Sequence, residues 1–317
     1  MENQSSKISV LLASHNGART LPKTLDAFTK LHVPDGGVEF IAIDNASTDK
    51  TREILDSYVE TLPLSVHTEP RPGKSFALNL AIKKAQGTFI VFTDDDVIPC
   101  VDWLLQYLAA AEAHPEASVF AGQVRHHWER TPPPWLARLA SEGRSFAGTP
   151  SDQEDGPGSL ALAKGLNLMV RRHVCEKIAF CERPGLNWTG ERSSQGGEDT
   201  DFVRQCLDKG YKLWFTSKAI NHHIVRKEQI GLVPVLRRYF RIGGAIALSG
   251  KAIRKKKVPT LLGYPRYLFR RTLADLATVT LEWLRGRQYN AANRLIDVAI
   301  TWGSAHQLKY IENSKRR

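Results

Sequence analysis

The feature that most constrains the fold is an alternation of short apolar runs and amphipathic segments over roughly the first 120 residues. Apolar runs rich in β-branched and aromatic residues stand at Ile8–Ser14, Val38–Asp44 and Thr88–Thr93, and this composition favours buried strands. The segments TLPKTLDAFTKL and KSFALNLAIKKA between them place apolar residues at helical spacing. The alternation predicts an α/β fold with a Rossmann-like, mostly parallel central sheet and helices on both faces.

The rest of the chain divides into loop-rich sequence, a few further elements and a helical tail. Loops are expected over Thr131–Gly158 and Asn187–Gly197, where Pro, Gly and polar residues accumulate. The segment DTDFVRQCLDKG predicts a helix, and YKLWFTSKAINHHI predicts a strand pair or a bulged strand. From about Val225 the pattern is helical and amphipathic. These shifts predict one domain over residues 1–226 and a helical extension over residues 227–317.

The net charge of +11 is concentrated in that extension. Residues 225–317 contain 20 Lys and Arg against 5 Asp and Glu, whereas residues 1–224 contain 24 against 28. Basic residues mixed with Leu, Phe, Tyr and Trp at helical spacing suit an amphipathic helix on an anionic membrane surface. Nucleic-acid binding is a competing interpretation of the charge, but no nucleic-acid motif accompanies it, so we expect no nucleic-acid partner. The third interpretation is an ordinary packing unit with a solvated basic face.

The cysteines and the apolar runs bear on the compartment of the protein. The four cysteines form no CxxC pair, which indicates reduced thiols rather than a disulfide framework or a zinc site. The start, MENQSSKISVLLASHNG, lacks the long apolar core of a signal peptide. No stretch offers about 18 uninterrupted apolar residues, so we expect no membrane-spanning helix. Together these features predict a cytoplasmic protein.

Three consecutive aspartates, Asp94–Asp96, follow the apolar run FIVF. Adjacent carboxylates repel one another, and an unpaired buried charge is costly. One interpretation is a solvated strand end and a turn that Pro99 closes. The other is a divalent cation, because Mg²⁺ and Mn²⁺ prefer oxygen ligands and Mg²⁺ usually shares them with substrate phosphates.

Polar residues also follow the other predicted strands. Asp44 ends the second strand, and Ser14 and Asn16 lie at the end of the first. Ligands bind where the carboxyl ends of parallel strands meet, so we expect these side chains near Asp94–Asp96. The first loop, ASHNGARTL, supplies no GxGxxG fingerprint, and no P-loop is present, so a cation and Lys74 are the candidates for holding phosphates. Each residue also has a structural interpretation. Asp44 could cap a helix, Asn16 could belong to an ordinary turn, and Lys74 could lie at a solvated helix start.

Seven segments of the chain, taken in their order along the sequence, resemble those of a family 2 glycosyltransferase of the GT-A fold. The resemblance is to the non-processive enzymes of the bacterial polysaccharide or glycolipid type. The resemblance covers roughly Lys7 to Gly244 and includes neither the QxxRW motif nor the membrane spans of processive synthases. It implies a GT-A catalytic domain over 1–226, with a nucleotide-sugar half at about 1–125 and an acceptor half at about 126–226. The matching segments are SVLLASHNGARTL, FIAIDNASTDKT, RPGKSFALNLAIKKAQG, FIVFTDDDV, KGLNLMVRR, GGEDTDFVRQCLDKGY and AINHHIVRKEQIGLVPVLRRYFRIGG.

The resemblance implies a UDP-, GDP- or dTDP-sugar donor and a divalent cofactor, Mn²⁺ or Mg²⁺. It assigns the cation chiefly to Asp96, with Asp94 and His222 as further ligands, although His223 directly follows His222 and the choice between them stays open. One departure is that the first loop reads Ser-His-Asn where relatives often have Pro-Thr-Tyr-Asn. The residues that the resemblance assigns to the nucleotide sugar are Ser14, Asn16, Asp44, Lys74, Asp94 and Asp95.

The pair Glu198–Asp199 matches the family's catalytic ED motif. The resemblance makes Asp199 the general base that accepts the proton of the acceptor hydroxyl, with Glu198 beside it. An acidic helix start is the alternative for the same pair, since carboxylates favour the helix dipole there. Trp188 is a weaker candidate for contact with the acceptor, because a loop tryptophan can stack on a sugar or simply pack.

The expected activity is inverting, metal-dependent hexosyl transfer to a hydroxyl of a lipid-linked glycan or polysaccharide. Its expected place is the inner face of a bacterial plasma membrane, in cell-envelope polysaccharide assembly. A sugar-nucleotide nucleotidyltransferase is one alternative, but it would need a Gly- and Arg-rich first loop, which ASHNGARTL is not. A non-catalytic module that binds glycan or membrane is the other, and such a module would have no need for five carboxylates at one edge.

Overall fold

A computed structural model of the chain describes residues 8–182, 197–248 and 259–314, and these form two compact units. Of the described residues, the first unit comprises 8–127, 140–182 and 197–225. The second unit comprises 128–139, 226–248 and 259–314. The domain boundaries inferred from the sequence stay a prediction.

The first unit alternates strands and helices. Its strands, in chain order, are β1 Ile8–Ser14, β2 Val38–Asp44, β3 Leu64–Thr68, β4 Phe89–Asp94, β5 Val97–Pro99, β6 Ala117–Trp128, β7 Gly156–Pro157, β8 Leu168–Arg171 and β9 Lys212–Val225. Its helices are α1 Leu21–Phe28, α2 Thr51–Ser57, α3 Lys74–Lys84, α4 Trp103–Ala113, α6 Arg172–Cys175 and α7 Glu198–Asp208. Helix α5, Pro134–Ser141, follows β6 in the chain, and most of its residues belong to the second unit. The predicted strands Ile8–Ser14 and Val38–Asp44 are confirmed at both ends.

The strands form one sheet with the order β3-β2-β1-β4-β8-β6-β9-β5, and β7 pairs with β9. Strands β3, β2, β1 and β4 are parallel, and β8 joins β4 in antiparallel pairing. The chain runs outward from β1 to β3 and then returns to the other side of β1 as β4. The strand order therefore reverses between β1 and β4, which is where ligands bind in open α/β sheets.

Both faces of the parallel half are covered, because successive side chains of a strand point to opposite faces. Val10 and Leu12 pack in a core with residues of α1, α2 and α4. Leu11, on the other face, packs with residues of α3 and α7. The predicted α/β fold with helices on both faces is confirmed.

The structure corrects two expectations about irregular segments. The region Thr131–Gly158 is not all loop, because it contains α5 and β7; Pro134 stands at the first position of α5, where a missing N–H is tolerated. The segment after Asp96 is not a plain turn, because Val97–Pro99 forms β5, which pairs with β9. Of the two interpretations of YKLWFTSKAINHHI, a strand pair or one bulged strand, the structure has one strand, β9, over Lys212–Val225.

The second unit is helical, as the sequence predicts. Its elements are a 3₁₀ turn at Lys227–Gln229, α8 Leu232–Leu248, β10 Thr260–Leu261, β11 Tyr264–Pro265, α9 Arg266–Leu284 and α10 Gln288–Ser314. Gly243 on α8 and Gly303 on α10 each lie against the backbone of the other helix, where a Cβ would collide. The Trp302 ring packs 5.3 Å from Tyr264 and 5.2 Å from Phe269. None of the helices in the described part of the chain is both long and apolar enough to cross a membrane.

Candidate active site

The carboxyl ends of β1, β2 and β4 lie side by side. Their parallel register sets Ser14 opposite Asp44 and Ala13 opposite Asp94. A cavity of about 180 Å³ opens at this edge. Its lining residues are Ala13, Ser14, His15, Asn45, Pro72, Gly73, Lys74, Asp94, Asp95, Asp96 and Glu198. The structure therefore brings the aspartates, the Lys74 loop and the ED pair to one place.

Asp95 is tied to the end of β1. Ser14, which is buried, donates a short hydrogen bond from Oγ to Asp95 Oδ2. Gly17 lies against this pair, and a Cβ on Gly17 would fall on Asp95 Oδ2 and Ser14 Oγ. The glycine thus permits the close approach of the two strand ends. The Ser14–Asp95 bond joins β1 to the residue after β4, across the point where the strand order reverses.

The structure resolves which of two adjacent histidines faces the aspartates. His223 Nε2 lies 3.2 Å from Asp96 Oδ2, and its Nδ1 lies 2.7 Å from the carbonyl oxygen of Phe146. His222 points to the opposite side of β9, where its Nδ1 lies 3.2 Å from the carbonyl oxygen of Ile98. The structure therefore places His223, and not the predicted His222, beside Asp96. The metal-binding role stays a prediction.

Lys74 joins the two acidic clusters. Its Nζ lies 2.7 Å from Asp94 Oδ1 and 3.4 Å from Asp199 Oδ2. Burial disfavours the ammonium, but the attraction of Asp199 and Asp94 outweighs it and holds the pKa of Lys74 well above its usual value. Lys74 is therefore a fixed cation between Asp94, at the end of β4, and Asp199, at the start of α7.

Glu198 and Asp199 occupy the first turn of α7, where the helix dipole favours negative charge. Gly165 lies against the Asp199 carboxylate, so that a Cβ on Gly165 would overlap the carboxylate atoms. Glu198 Oε2 is buried and has no hydrogen-bond partner among the described residues. An unpartnered buried carboxylate oxygen is costly, which suggests that it meets a ligand.

Negative charge exceeds positive charge in this cavity. Burial, followed by repulsion from Asp96, raises the pKa of Asp95 to about 7, against the opposing effect of the Ser14 hydrogen bond. Burial and repulsion from Asp199 raise the pKa of Glu198 to about 7. Burial also raises the pKa of Asp94, although Lys74 opposes the shift. A cation bound here would relieve the repulsion.

Asn45 is a site residue that the sequence analysis missed. Its Nδ2 donates to the carbonyl oxygens of Glu69 at 3.0 Å and Arg71 at 2.7 Å. Its Oδ1 accepts from the Gly73 N–H at 2.8 Å. The buried amide thus holds the loop that positions Lys74. An asparagine directly after a strand-ending aspartate was the available signal, but its partners in the RPG loop cannot be inferred from spacing.

Asp44 and Asn16 hold loops at the border of the site. Asp44 is buried, and its Oδ1 accepts from the Ser47 N–H at 3.2 Å. Asn16 adopts a φ of 54°, and its Oδ1 accepts from the Thr48 N–H at 2.8 Å. The assignment of Asp44 and Asn16 to the donor stays a prediction. Trp188 lies outside the described residues.

Asn167 is a second residue whose importance the sequence did not reveal. Its Oδ1 accepts from Trp103 Nε1 at 2.7 Å and from the Tyr107 hydroxyl at 2.8 Å. Its Nδ2 donates to carbonyl oxygens of β6 and β9 at 2.9 and 2.8 Å. Because every polar atom of this buried amide is paired, the segment that contains Gly165 is firmly held.

The donor atoms suit a hard divalent cation. Asp94, Asp95 and Asp96 supply carboxylate oxygens, and Glu198 Oε2 adds an unpartnered one. Among the described residues, no group of three His, Cys, Asp or Glu side chains is arranged as a complete metal site. Mg²⁺ typically binds through one or two carboxylates and takes its other ligands from water and substrate phosphates. The residues present therefore fit a cation that binds together with a phosphate ligand.

The profile of "Glycosyl transferase family 2" matches residues 9–179, more than half of the chain. Among curated proteins, the chain is similar to the succinoglycan biosynthesis protein ExoM of Rhizobium meliloti (strain 1021). The two are 27% identical over 227 residues, which cover 70% of this chain and 69% of ExoM.

Two solved structures share the GT-A fold of the chain. The mannosyltransferase PcManGT from Pyrobaculum calidifontis, in complex with GDP-Man and Mn²⁺, aligns with a TM-score of 0.55 and 18% identity, covering 99% of this chain and 76% of that one. TarS 1–349 of S. aureus, in complex with UDP-GlcNAc, aligns with a TM-score of 0.54 and 16% identity, covering 98% of this chain and 91% of that one. In another crystal structure of TarS, the chain covers 40% of the TarS chain.

Proposed function

The chain belongs to glycosyl transferase family 2, and we propose that it moves a sugar from a nucleotide-sugar donor to a hydroxyl group of a glycan acceptor, with inversion at the anomeric carbon. The observation that carries the proposal is the meeting of two acidic clusters across Lys74. Asp94 and Asp199 are 105 positions apart in the sequence, yet the Lys74 ammonium contacts both. In the proposal, the donor binds beside Asp94 and the base is Asp199, on the other side of Lys74.

The donor side of the cavity is formed by β1, β4 and the start of α3. Ser14 and Asp95 border the place where the strand order reverses, and Lys74 supplies a cation for a diphosphate. In the proposal these residues, with Asp94, hold the diphosphate and ribose, while Asp44 and Asn16 lie toward the base. The complexes of PcManGT with GDP-Man and of TarS with UDP-GlcNAc support a nucleoside diphosphate sugar as the donor class.

Asp199 is the proposed general base. It accepts the proton of the acceptor hydroxyl while the acceptor oxygen forms a bond to the anomeric carbon, and the bond from that carbon to the diphosphate breaks on the opposite face. The nucleoside diphosphate leaves with the bonding electron pair. Lys74 holds the Asp199 carboxylate in place through its ammonium, 3.4 Å away, and Glu198 extends the acidic surface beside it.

Asp96 and Asp94 are the proposed residues that hold Mn²⁺ or Mg²⁺, and His223 orients the Asp96 carboxylate. When bound, the cation stabilises the growing negative charge of the diphosphate leaving group. The presence of Mn²⁺ in the PcManGT structure supports this choice of cofactor.

The proposed acceptor is a lipid-linked glycan or a polysaccharide at the inner face of a bacterial plasma membrane. ExoM, a succinoglycan biosynthesis protein, supports a role in polysaccharide assembly. The concentration of positive charge in residues 225–317 supports a position at an anionic surface.

The proposal is tested by thermal unfolding of the full chain with UDP-, GDP- and dTDP-sugars, each with Mn²⁺ and with EDTA. We expect one nucleotide class to raise the melting temperature in Mn²⁺ and to lose the effect in EDTA, because only a ligand that binds the native state stabilises it. No shift with any donor in either condition would contradict the proposal.

A further inference from the structure

Exposed large apolar side chains are concentrated in the second unit. Among the described residues, 12 of the 15 exposed large apolar side chains lie within residues 226–317. The other three, Val33, Val59 and Val101, lie in the first unit. Isolated exposed apolar residues are normal, but a concentration of them marks an interaction surface.

Helix α9 carries the most regular part of this surface. Leu273 and Leu284 are 69% and 77% exposed, and they lie on the same side of the helix because 11 residues complete about three turns. Leu276 and Leu281 are 43% and 45% exposed on the same broad side. We name this surface the α9 face; its residues are Arg266, Arg270, Leu273, Leu276, Leu281 and Leu284.

Charge is segregated around α9. The exposed Arg266 and Arg270 lie on the α9 face at its N-terminal end, and neither guanidinium has an ion pair or hydrogen bond with another described residue. The two acidic residues of α9, Asp275 and Glu282, have side chains only 16% and 14% exposed. Both are paired with arginines at 3.4 to 3.7 Å. The α9 face therefore combines leucines with unpaired cations and contains no carboxylate.

We propose that the α9 face lies on an anionic phospholipid surface. Its leucines enter the boundary between headgroups and acyl chains, and the two arginines contact lipid phosphates, as on amphipathic helices that lie in the plane of a membrane. A second copy of the α9 face fits less well, because it offers no carboxylate to pair with the two arginines. The inference rests on the proposed function, which places the acceptor at a membrane, and it identifies the surface that contacts the lipid.

The test is co-flotation of the full chain with vesicles of phosphatidylcholine alone and of phosphatidylcholine mixed with phosphatidylglycerol. We expect binding to the mixed vesicles and little to phosphatidylcholine alone. The double variant Leu273→Glu with Leu284→Glu is expected to bind mixed vesicles at least tenfold more weakly, since each leucine loses its burial and gains a repelled charge. The matched control, Val33→Glu with Val59→Glu, adds the same charge at exposed sites of the first unit and is expected to bind like the parent.

A third variant, Arg266→Gln with Arg270→Gln, tests the cations. We expect roughly a tenfold or greater loss on mixed vesicles and no loss of the residual binding to neutral ones. Circular dichroism of each variant, together with its response to nucleotide sugars in solution, shows whether the fold and the donor site are intact.

Three results would overturn the inference: no parent binding to mixed vesicles, equal binding by the leucine double variant, or equal binding of the parent to both vesicle types. Dimerisation in light scattering that the leucine variant abolishes, without vesicle binding, would assign the α9 face to self-association instead. Donor binding is measured without lipid, so it tests the proposed function alone. Vesicle binding tests the α9 face, and the failure of one proposal is therefore distinguished from the failure of the other.

Discussion

Lys74 Nζ lies 3.4 Å from Asp199 Oδ2, although the two residues belong to different helices and are 125 positions apart in the sequence. The same ammonium contacts Asp94 at 2.7 Å. One lysine thus fixes the spacing between the end of β4 and the start of α7. The proposed base is therefore positioned before any substrate arrives, which is the condition under which a carboxylate contributes most to the rate.

Asp199→Asn is expected to lower kcat about 10²- to 10⁴-fold, because the amide keeps the shape of the side chain and cannot accept the proton. Binding of the nucleotide sugar should persist, since the donor contacts proposed here do not use this carboxylate. The measurement is steady-state transfer together with the donor-induced thermal shift.

The matched control for Asp199→Asn is Asp208→Asn, at the exposed far end of the same helix. It removes an equal charge from α7 and should transfer sugar at the parent rate. Transfer by the Asp199 variant at the parent rate would refute its assignment as the base.

Gly165→Ala is expected to lower kcat by roughly 10²-fold and to leave the KM of the donor nearly unchanged. The added methyl would overlap the Asp199 carboxylate, and a displacement of about 1 Å of a catalytic group can cost that much. The control is Gly156→Ala, since nothing lies within 4 Å of its Cβ position. If both variants behaved alike in kcat and KM, Gly165 would not determine the position of the base.

Asp95 and Glu198 should make stability depend on pH in the direction opposite to a carboxylate whose pKa is lowered on folding. The pKa of Asp95 is about 7 in the folded chain and 3.8 in the reference state, so the folded state binds the extra proton between these values. The contribution of Asp95 to the free energy of unfolding of the metal-free protein should therefore fall as pH rises from about 4 to about 7. Glu198, whose pKa is also raised to about 7, acts in the same direction.

Asp95→Asn tests this account by denaturant titration in EDTA at pH 5 and pH 8. The amide keeps an acceptor for Ser14 and removes the charge, so the variant should be more stable than the parent at pH 8 by on the order of 1–3 kcal/mol. The difference should shrink at pH 5. The control Asp35→Asn, at an exposed position, should leave the free energy of unfolding unchanged at both pH 5 and pH 8. A variant that is less stable than the parent at pH 8 would show that the charge of Asp95 is compensated.

The strands that end at the site are well predicted from the sequence, because their apolar composition strongly favours buried strands. Ile8–Ser14 and Val38–Asp44 are buried along nearly their whole length, and polar residues at their ends must meet at the edge of a parallel sheet. The convergence of Ser14, Asp44 and Asp94 follows from topology alone. Helix α5 was missed because prolines suggest loops, although Pro134 here begins a helix.

Contacts between distant segments are what the sequence does not reveal. Asn45 holds Gly73 and Asn167 holds Trp103 through amide hydrogen bonds, and a lone asparagine gives no signal of such a partner. The same limit applies to the adjacent histidines, because the register of β9 against β5 decides which ring faces the aspartates.

His223→Asn is expected to weaken the binding of Mn²⁺ together with UDP or GDP about tenfold, the usual effect of removing a residue that orients a metal-binding carboxylate. The asparagine amide can replace Nδ1 in its contact with Phe146, but it has no atom equivalent to Nε2, which lies 3.2 Å from Asp96 Oδ2. His223→Gln places its amide nearer the position of Nε2 and should recover part of the affinity. His222→Asn, on the opposite side of β9, should bind Mn²⁺ and nucleotide like the parent. The measurement is titration calorimetry of the three variants with Mn²⁺ and nucleotide. A larger loss of affinity in the His222 variant than in the His223 variant would show that His222, and not His223, supports the metal site.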